Sequence, residues 1–158
     1  MLGYQGVTPD GSPQDIVINA SALGFAGAMA STLHDLARWG QALADGSLLP
    51  PGLQRQRFNT RPTADDPASP VYDAYGLGIG QVAGWWGHTG EGAGFEAAVF
   101  RQIDRQETFA VLLNASNASD VPVRIFCRVL QVLQEAPSPG SPSVCAPGND
   151  GGARGASN

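Results

Sequence analysis

His88, Thr89 and Gly90 are the residues of this sequence whose types and spacing best support chemistry. They place an imidazole beside a hydroxyl, just before the glycine-rich run 91–94. Glycines let another backbone approach a strand closely, so a substrate lying antiparallel could take main-chain hydrogen bonds here. His88 and Thr89 would then address a carboxylate or a leaving group. The alternative interpretation is a glycine-rich turn with a surface histidine.

Apolar segments from residue 75 onward predict the β-strands that would position these residues. The predicted strands are 75–82, 85–88, 95–103 and 108–113. The polar connection 104–107 has the length of a hairpin loop, so we expect the last two strands to pair. The last strand is continuously apolar, which is typical of a strand covered on both faces.

Helices are predicted before and after these strands. Ser31 or Thr32 caps the first helix, since Thr32 and Asp35 fit a capping box, and Asp45-Gly46 ends that helix. Pro50-Pro51 opens a second, short helix through about Phe58. Pro122 lies in the first turn of the last helix. One face of the last helix is apolar and is expected to cover the sheet; it carries Ile125, Phe126, Val129, Leu130 and Leu133.

The remaining segments carry weaker patterns. Residues 1–27 are predicted to be an irregular surface segment with one strand at 16–18, and residues 60–72 a loop. Residues 137–158 are rich in Pro, Gly and Ser, with too little apolar surface to offset their ordering entropy. We therefore expect one domain over 1–136 and a disordered tail over 137–158.

Composition excludes several classes of function. The net charge of −5 disfavours nucleic acid and anionic membranes as partners. No run approaches the ~20 apolar residues of a membrane span, and no signal peptide is visible. Two cysteines, Cys127 and Cys145, cannot alone make a zinc site, so a disulfide and two inert thiols both remain open. We expect no metal and no cofactor.

Several segments in order carry a resemblance to a known family. The first three are the helix start Gly27 to Trp39, the run Tyr75 to Gly78, and Gly87 to Phe95 around His-Thr-Gly. Phe109 to Asn114 and the last amphipathic helix follow. Together they resemble the end of the class C β-lactamase and D-alanyl-D-alanine carboxypeptidase family of penicillin-binding serine hydrolases. The resemblance covers roughly residues 24–136.

This resemblance implies an α+β fold, in which a helical region packs beside an antiparallel sheet that a C-terminal helix covers. Family members attack a carbonyl with the serine of Ser-x-x-Lys, use a tyrosine in a second motif, and carry Lys-Thr-Gly or His-Thr-Gly as the third. By resemblance, His88 and Thr89 are catalytic, and Gly90 and Glu91 bind substrate. The backbone N–H of Glu91 would form half of the oxyanion hole.

The first two motifs of the family are missing from this sequence. All nine basic residues are arginine, so no Ser-x-x-Lys can occur, and Tyr4, Tyr72 and Tyr75 lack Asn or Ser two residues on. We therefore expect a C-terminal portion of a β-lactamase-like fold that is inactive alone. Its partners would be a β-lactam, a D-Ala-D-Ala peptide or an ester, and the N-terminal part of its own domain. The alternative is a non-catalytic peptide-binding module. The resemblance implies an extracytoplasmic location.

Overall fold

A computed structural model describes residues 3–16, 19–62, 71–92, 94–116, 120–133 and 144–145. Within these ranges the chain is an α+β structure, as predicted. The strands are β1 (Gly3–Val7), β2 (Pro13–Ile16), β3 (Arg61–Pro62), β4 (Ala74–Tyr75), β5 (Gly80–Val82), β6 (Trp85–Gly92), β7 (Phe95–Gln102) and β8 (Glu107–Leu113). The helices are α1 (Leu33–Asp45), α2 (Pro51–Arg57) and α3 (Val121–Val132), and a 3-10 helix spans Ala20–Ala26.

The main sheet has six antiparallel strands in the order β3-β4-β5-β6-β7-β8. Strands β7 and β8 form the predicted hairpin, with Phe100 opposite Phe109. Strand β6 pairs with β7 from Trp86 to Gly92, so His88 lies opposite Val99 and Thr89 opposite Ala98. The sheet therefore fixes the position of His88-Thr89-Gly90 through the long β7–β8 hairpin.

The core lies between one face of this sheet and α3. Phe126 of α3 is fully buried and stacks on Phe100 of β7, with ring centroids 4.7 Å apart. The ring of Trp85 in β6 contacts the Phe126 ring edge-on, with the centroids 5.3 Å apart. The apolar face that the sequence predicted for the last helix does cover the sheet at Phe126 and Leu130, whereas Leu133 is 56% exposed.

Helix α1 packs on the opposite face of the sheet. Its start is the predicted cap, since Thr32 Oγ1 accepts a hydrogen bond from the Asp35 N–H at 3.1 Å. Gly40 lies so close to β7 that an added Cβ would fall 2.3 Å from the Val99 Cγ2. Glycine is therefore needed at this position for the helix to reach the sheet.

The predicted strand over 75–82 is wrong, because the chain turns in its middle. Strand β4 ends at Tyr75 and β5 starts at Gly80, and the two pair antiparallel. Gly76 donates its N–H to the Ile79 carbonyl at 2.8 Å, and Gly78 takes a positive φ of 65°. Alternate glycines weaken a strand, and a left-handed residue ends it.

The predictions for residues 1–27 and 60–72 are also corrected. The first segment contains a β-hairpin, β1–β2, in place of an irregular stretch with a strand at 16–18. Strand β2 ends at Ile16, and residues 17–18 lie outside the described residues. Within the predicted loop, β3 pairs with β4, Arg61 opposite Tyr75.

Cys127 and Cys145 form a disulfide, which decides between the two alternatives that the sequence left open. The bridge connects α3 to Val144 and Cys145, both of which pack on the core. These two residues are held in place, although the sequence predicted a disordered tail from 137; the other tail residues lie outside the described ranges. None of the described helices combines the length and apolar character needed to cross a bilayer.

Candidate active site

The strand pairing on the outer edge of β6 changes at His88. Strand β5 covers this edge only as far as Gly87, which pairs with Gly80. From His88 to Gly92, β6 has β7 on one side. On the other side, no strand among the described residues pairs with it. The four residues that the sequence singled out, 88–91, all lie on this half-covered part of the strand.

The backbone of Thr89 points toward the outer edge. Its N–H donates to the hydroxyl of Tyr72 at 2.8 Å rather than to β7. Backbone groups of an antiparallel strand alternate between its two sides with a period of two residues. The N–H and C=O of Glu91 therefore point to the same outer edge, while those of Gly90 point toward β7.

The side chain of Thr89 also contacts Tyr72. Its Oγ1 lies 2.7 Å from the Tyr72 hydroxyl, a distance at which either oxygen can be the donor. Tyr72 is 6% exposed. Burial raises the pKa of its phenol, so this group is protonated at neutral pH and acts here as a hydrogen-bonding group, not as a base.

The imidazole of His88 is exposed and is held by two contacts. Nδ1 contacts the carbonyl oxygen of Thr89, and Nε2 contacts the hydroxyl of Tyr75. A carbonyl can only accept a hydrogen bond, so Nδ1 carries the proton. In the neutral ring Nε2 is then an acceptor, and the Tyr75 hydroxyl donates to it. Burial raises the pKa of the Tyr75 phenol, which keeps that donor protonated.

The glycines around the site serve different purposes. A Cβ on Gly87 would lie 1.9 Å from the Val99 carbonyl oxygen, so close packing of β7 requires glycine there. A Cβ on Gly90 would meet no atom within 4 Å. The sequence predicted that these glycines let another backbone approach the strand. Within the chain that explanation holds for Gly87, while Gly90 borders open space that a ligand can enter.

Two carboxyl groups lie opposite each other at the end of this edge. Glu91 is exposed, and its cross-strand partner Glu96 is 3% exposed. Burial, followed by the charge of Glu91, raises the pKa of Glu96. One Glu96 oxygen, Oε2, is buried without a hydrogen-bond partner. The protonated form of Glu96 is therefore more favoured than in an exposed glutamate.

Tyr72 and Tyr75 were missed by sequence reasoning. Neither matches the second motif of the family, because neither has Asn or Ser two residues on. Their hydroxyls nevertheless contact Thr89 and His88. Strand register is the signal that could have identified Tyr75. Tyr75 pairs with Gly80, and Gly80 pairs with Gly87, the residue before His88. That signal is visible only once the turn at 76–79 is recognised.

The described residues contain neither the nucleophile of the resembled family nor a metal site. Nowhere in the described part of the chain do three side chains of His, Cys, Asp or Glu come together as metal ligands. The sequence has no lysine to serve as the base of a Ser-x-x-Lys motif. What the edge offers is a set of hydrogen-bonding groups: the Thr89 hydroxyl, the His88 imidazole and the backbone of Glu91.

Comparison with known proteins shows the family. The family model described as Beta-lactamase matches residues 3–131, so this chain belongs to the β-lactamase family. The crystal structure of a D-stereospecific amidohydrolase from Streptomyces sp. is similar to this chain, with a TM-score of 0.61 and 26% sequence identity. The similarity covers 90% of this chain and 40% of the amidohydrolase chain. No curated protein matches in sequence.

Proposed function

We propose that this chain supplies the substrate-binding strand and one oxyanion donor of a serine hydrolase that works through an acyl-enzyme. The observation that carries the proposal is the outer edge of β6, where β5 stops at Gly87 and residues 88–91 follow. A substrate lying antiparallel along this edge would find the main chain of Glu91 directed at it. It would also find the open space beside Gly90.

Each of the four predicted residues has a distinct part in this reaction. The Glu91 N–H donates to the carbonyl oxygen of the substrate as negative charge develops on it. The Thr89 hydroxyl donates to a substrate carboxylate, and Gly90 leaves room for the substrate backbone. His88, protonated on Nδ1, accepts a hydrogen bond from the Tyr75 hydroxyl at Nε2 and tunes proton transfer at the site.

The serine and its lysine base are proposed to come from a segment outside this sequence. A lysine-free chain cannot carry Ser-x-x-Lys, and the chain spans only 40% of the amidohydrolase to which it is similar. Exposed apolar side chains on the α1 side of the sheet support the proposal that a further segment covers this side. Leu33 and Trp39 of α1 are both 51% exposed, and Leu112 of the edge strand β8 is 39% exposed. An apolar surface of this kind is typical of an interaction site.

The proposed substrates are carbonyl compounds that such a site acylates: an amide or peptide bond next to a D-residue, a β-lactam or an ester. The amide is placed first because the similar solved structure is a D-stereospecific amidohydrolase. The proposed location is extracytoplasmic. The Cys127–Cys145 disulfide supports it, because disulfides persist in oxidising compartments.

Acylation by a fluorescent penicillin tests this proposal. The chain would be purified alone and also as an extended protein, translated from the reading frame directly upstream of Met1 together with this chain. We expect that frame to encode Ser-x-x-Lys followed by Tyr-x-Asn or Tyr-x-Ser. The extended protein should then gain a covalent adduct on the serine of Ser-x-x-Lys, and the chain alone should gain none.

Two outcomes of this experiment would contradict the proposal. An adduct on any serine of the chain alone would show that the nucleophile lies within these 158 residues. An upstream frame without Ser-x-x-Lys would remove the proposed source of the serine. In that second case, saturable binding of a D-Ala-D-Ala peptide to the chain alone would identify a binding module in place of an enzyme part.

A further inference from the structure

We infer that Tyr72 is a positioning residue for Thr89, and that the tail residues Val144 and Cys145 hold Tyr72 in place. The consequence for substrate binding rests on the function proposed above. The contacts themselves do not depend on that function, since they are made within the chain. They form a continuous series from the disulfide, through the tail and Asp73, to the substrate edge of β6.

Tyr72 makes two hydrogen bonds with one residue of the site. Its hydroxyl accepts the Thr89 N–H at 2.8 Å and lies 2.7 Å from Thr89 Oγ1. A single phenol oxygen thus fixes both the backbone and the side chain of Thr89. The Tyr72 ring is 6% exposed and belongs to the buried core cluster, so the hydroxyl has little freedom to move.

The Tyr72 hydroxyl also decides which part of the β6 edge stays accessible. Strand β5 pairs with this edge up to Gly87. The next N–H that points the same way belongs to Thr89, and Tyr72 accepts it. The one after that is the N–H of Glu91. Tyr72 therefore ends the covered part of the edge one step before the proposed oxyanion donor.

Asp73 anchors the segment that carries Tyr72. One oxygen of its carboxylate accepts the Ala83 N–H at 2.7 Å, in the turn between β5 and β6. The other oxygen accepts the Val144 N–H at 2.9 Å. The Asp73 N–H donates to the Gln81 carbonyl at 2.8 Å. One residue thus joins Tyr72, β5 and the tail.

The disulfide fixes the tail end of this series. Cys145 is 7% exposed, lies in the same buried cluster as Tyr72, and is bonded to Cys127 of α3. The β-lactamase family match ends at residue 131, so Val144 and Cys145 lie beyond the matched region. The tail of this chain therefore adds a support to the site that the matched region does not contain.

Amide hydrogen exchange of the chain, followed residue by residue by NMR, tests the inference. In Tyr72→Phe the Thr89 N–H loses its acceptor, and its exchange should accelerate about tenfold, the size expected for one hydrogen bond. Tyr75→Phe is the matched control. It removes the neighbouring hydroxyl, which contacts His88, and should leave Thr89 exchange unchanged. The amides of Val99 and Phe100 report on the sheet as a whole and should not change in either variant.

The tail is tested by the same measurement. Asp73→Ala should accelerate exchange at Thr89 and leave Phe100 unchanged. The paired substitution Cys127→Ser with Cys145→Ser should also accelerate exchange at Thr89, while exchange at Phe100 reports the lower global stability of that variant. Should Tyr72→Phe fail to fold, Thr89→Val provides the second route. That variant keeps the residue's N–H but removes the hydroxyl, so its amide should stay protected and the ultraviolet titration of the Tyr72 phenol should shift. Equal exchange at Thr89 in wild type, Tyr72→Phe, Asp73→Ala and the paired cysteine variant would overturn the inference.

A kinetic readout separates positioning from a merely structural role. In the extended protein, Tyr72→Phe should raise KM about tenfold for a D-Ala-D-Ala peptide with a free carboxylate. It should leave KM unchanged for an ester that has none, because Thr89 addresses the carboxylate. Equal losses on both substrates would reject the positioning role. If the extended protein is inactive, the proposed function fails, while the exchange result still decides whether Tyr72 holds Thr89.

Discussion

The two faces of the main sheet are built differently. The α3 face is closed by aromatic packing, since Phe126 contacts the rings of Trp85, Phe100 and Phe109. On the α1 face the contacts include an ion pair, in which Arg101 of β7 is bidentate to Asp45 at the end of α1. Trp39, also on α1, is half exposed.

The difference shows which side of the sheet the proposed missing segment would cover. The α3 face buries its apolar side chains against its own helix, and the disulfide ties the tail to it. The α1 side leaves apolar side chains accessible, and β8 has an uncovered outer edge over most of its length in the described residues. His88 and Thr89 lie at the outer edge of β6, between the α3 face and the α1 face of the sheet.

The largest effect is expected on the α3 face. Phe126→Ala removes a fully buried ring and should lower the free energy of unfolding by about 4 kcal/mol. Urea denaturation followed by circular dichroism measures it. Val132→Ala is the control on the same helix, because Val132 is 81% exposed and should change stability little. Similar losses of stability in the two variants would contradict the description of the α3 face as closed by aromatic packing.

Reduction of the disulfide should have the next largest effect. The bridge spans 18 residues of sequence. Its removal should lower the free energy of unfolding by about 3 kcal/mol, because the unfolded chain gains conformational entropy. Urea midpoints with and without a phosphine reductant measure it. The Cys127→Ser, Cys145→Ser protein serves as control, since it should have the lower midpoint and not respond to the reductant. An unchanged wild-type midpoint on reduction would contradict the prediction.

The buried carboxyl of Glu96 should make stability depend on pH. Burial raises its pKa in the folded state above the ordinary glutamate value of roughly 4.3 in the unfolded chain. Its contribution to stability is therefore fully present below about pH 4 and is lost as pH rises through the folded pKa. Glu96→Gln should lack this loss and be the more stable variant at pH 7, by about 1 kcal/mol.

Urea denaturation across this pH range measures the Glu96 effect. Asp104→Asn is the control, because Asp104 is exposed in the β7–β8 connection and should leave the pH profile unchanged. A wild-type protein that grows more stable from pH 4 to 7 relative to Glu96→Gln would contradict the assigned direction.

The smallest effect is expected for the ion pair on the α1 face. Asp45 is 42% exposed, so solvent screens its interaction with Arg101, and Asp45→Asn should cost less than about 1 kcal/mol. A double-mutant cycle with Arg101→Met isolates the pair energy. The surface pair Arg105–Glu107 is the comparison and should couple by less than about 0.5 kcal/mol. Coupling near zero for both pairs would mean that the α1 face gains nothing from its ion pair.

Much of this arrangement could be predicted from local sequence patterns. The cap at Thr32, the β7–β8 hairpin and the last helix depend on spacings of a few residues, and the sequence carries those signals directly. His88-Thr89-Gly90 was recognisable because the motif is contiguous. The break between β4 and β5 was missed, because alternate glycines leave strand and turn equally compatible with the pattern.

The support of the site could not be predicted, because it depends on contacts between distant residues. Tyr72 meets Thr89 across 17 residues, and Val144 meets Asp73 across 71. No local periodicity encodes such contacts; they follow from strand register and from the disulfide. The composition of the tail predicted disorder, since the buried Cys145 and the partly buried Val144 contribute little to an average over 137–158.

The most direct test of the proposed substrate edge is the rate at which penicillin acylates variants of the extended protein at Glu91. Glu91→Pro removes the backbone N–H that is proposed to stabilise the oxyanion, and Glu91→Gln keeps that N–H while removing the charge. We expect Glu91→Pro to be acylated more slowly by a factor of about 10² to 10³, and Glu91→Gln to be acylated at close to the wild-type rate. A Glu91→Pro protein that folds and acylates at the wild-type rate would contradict this expectation.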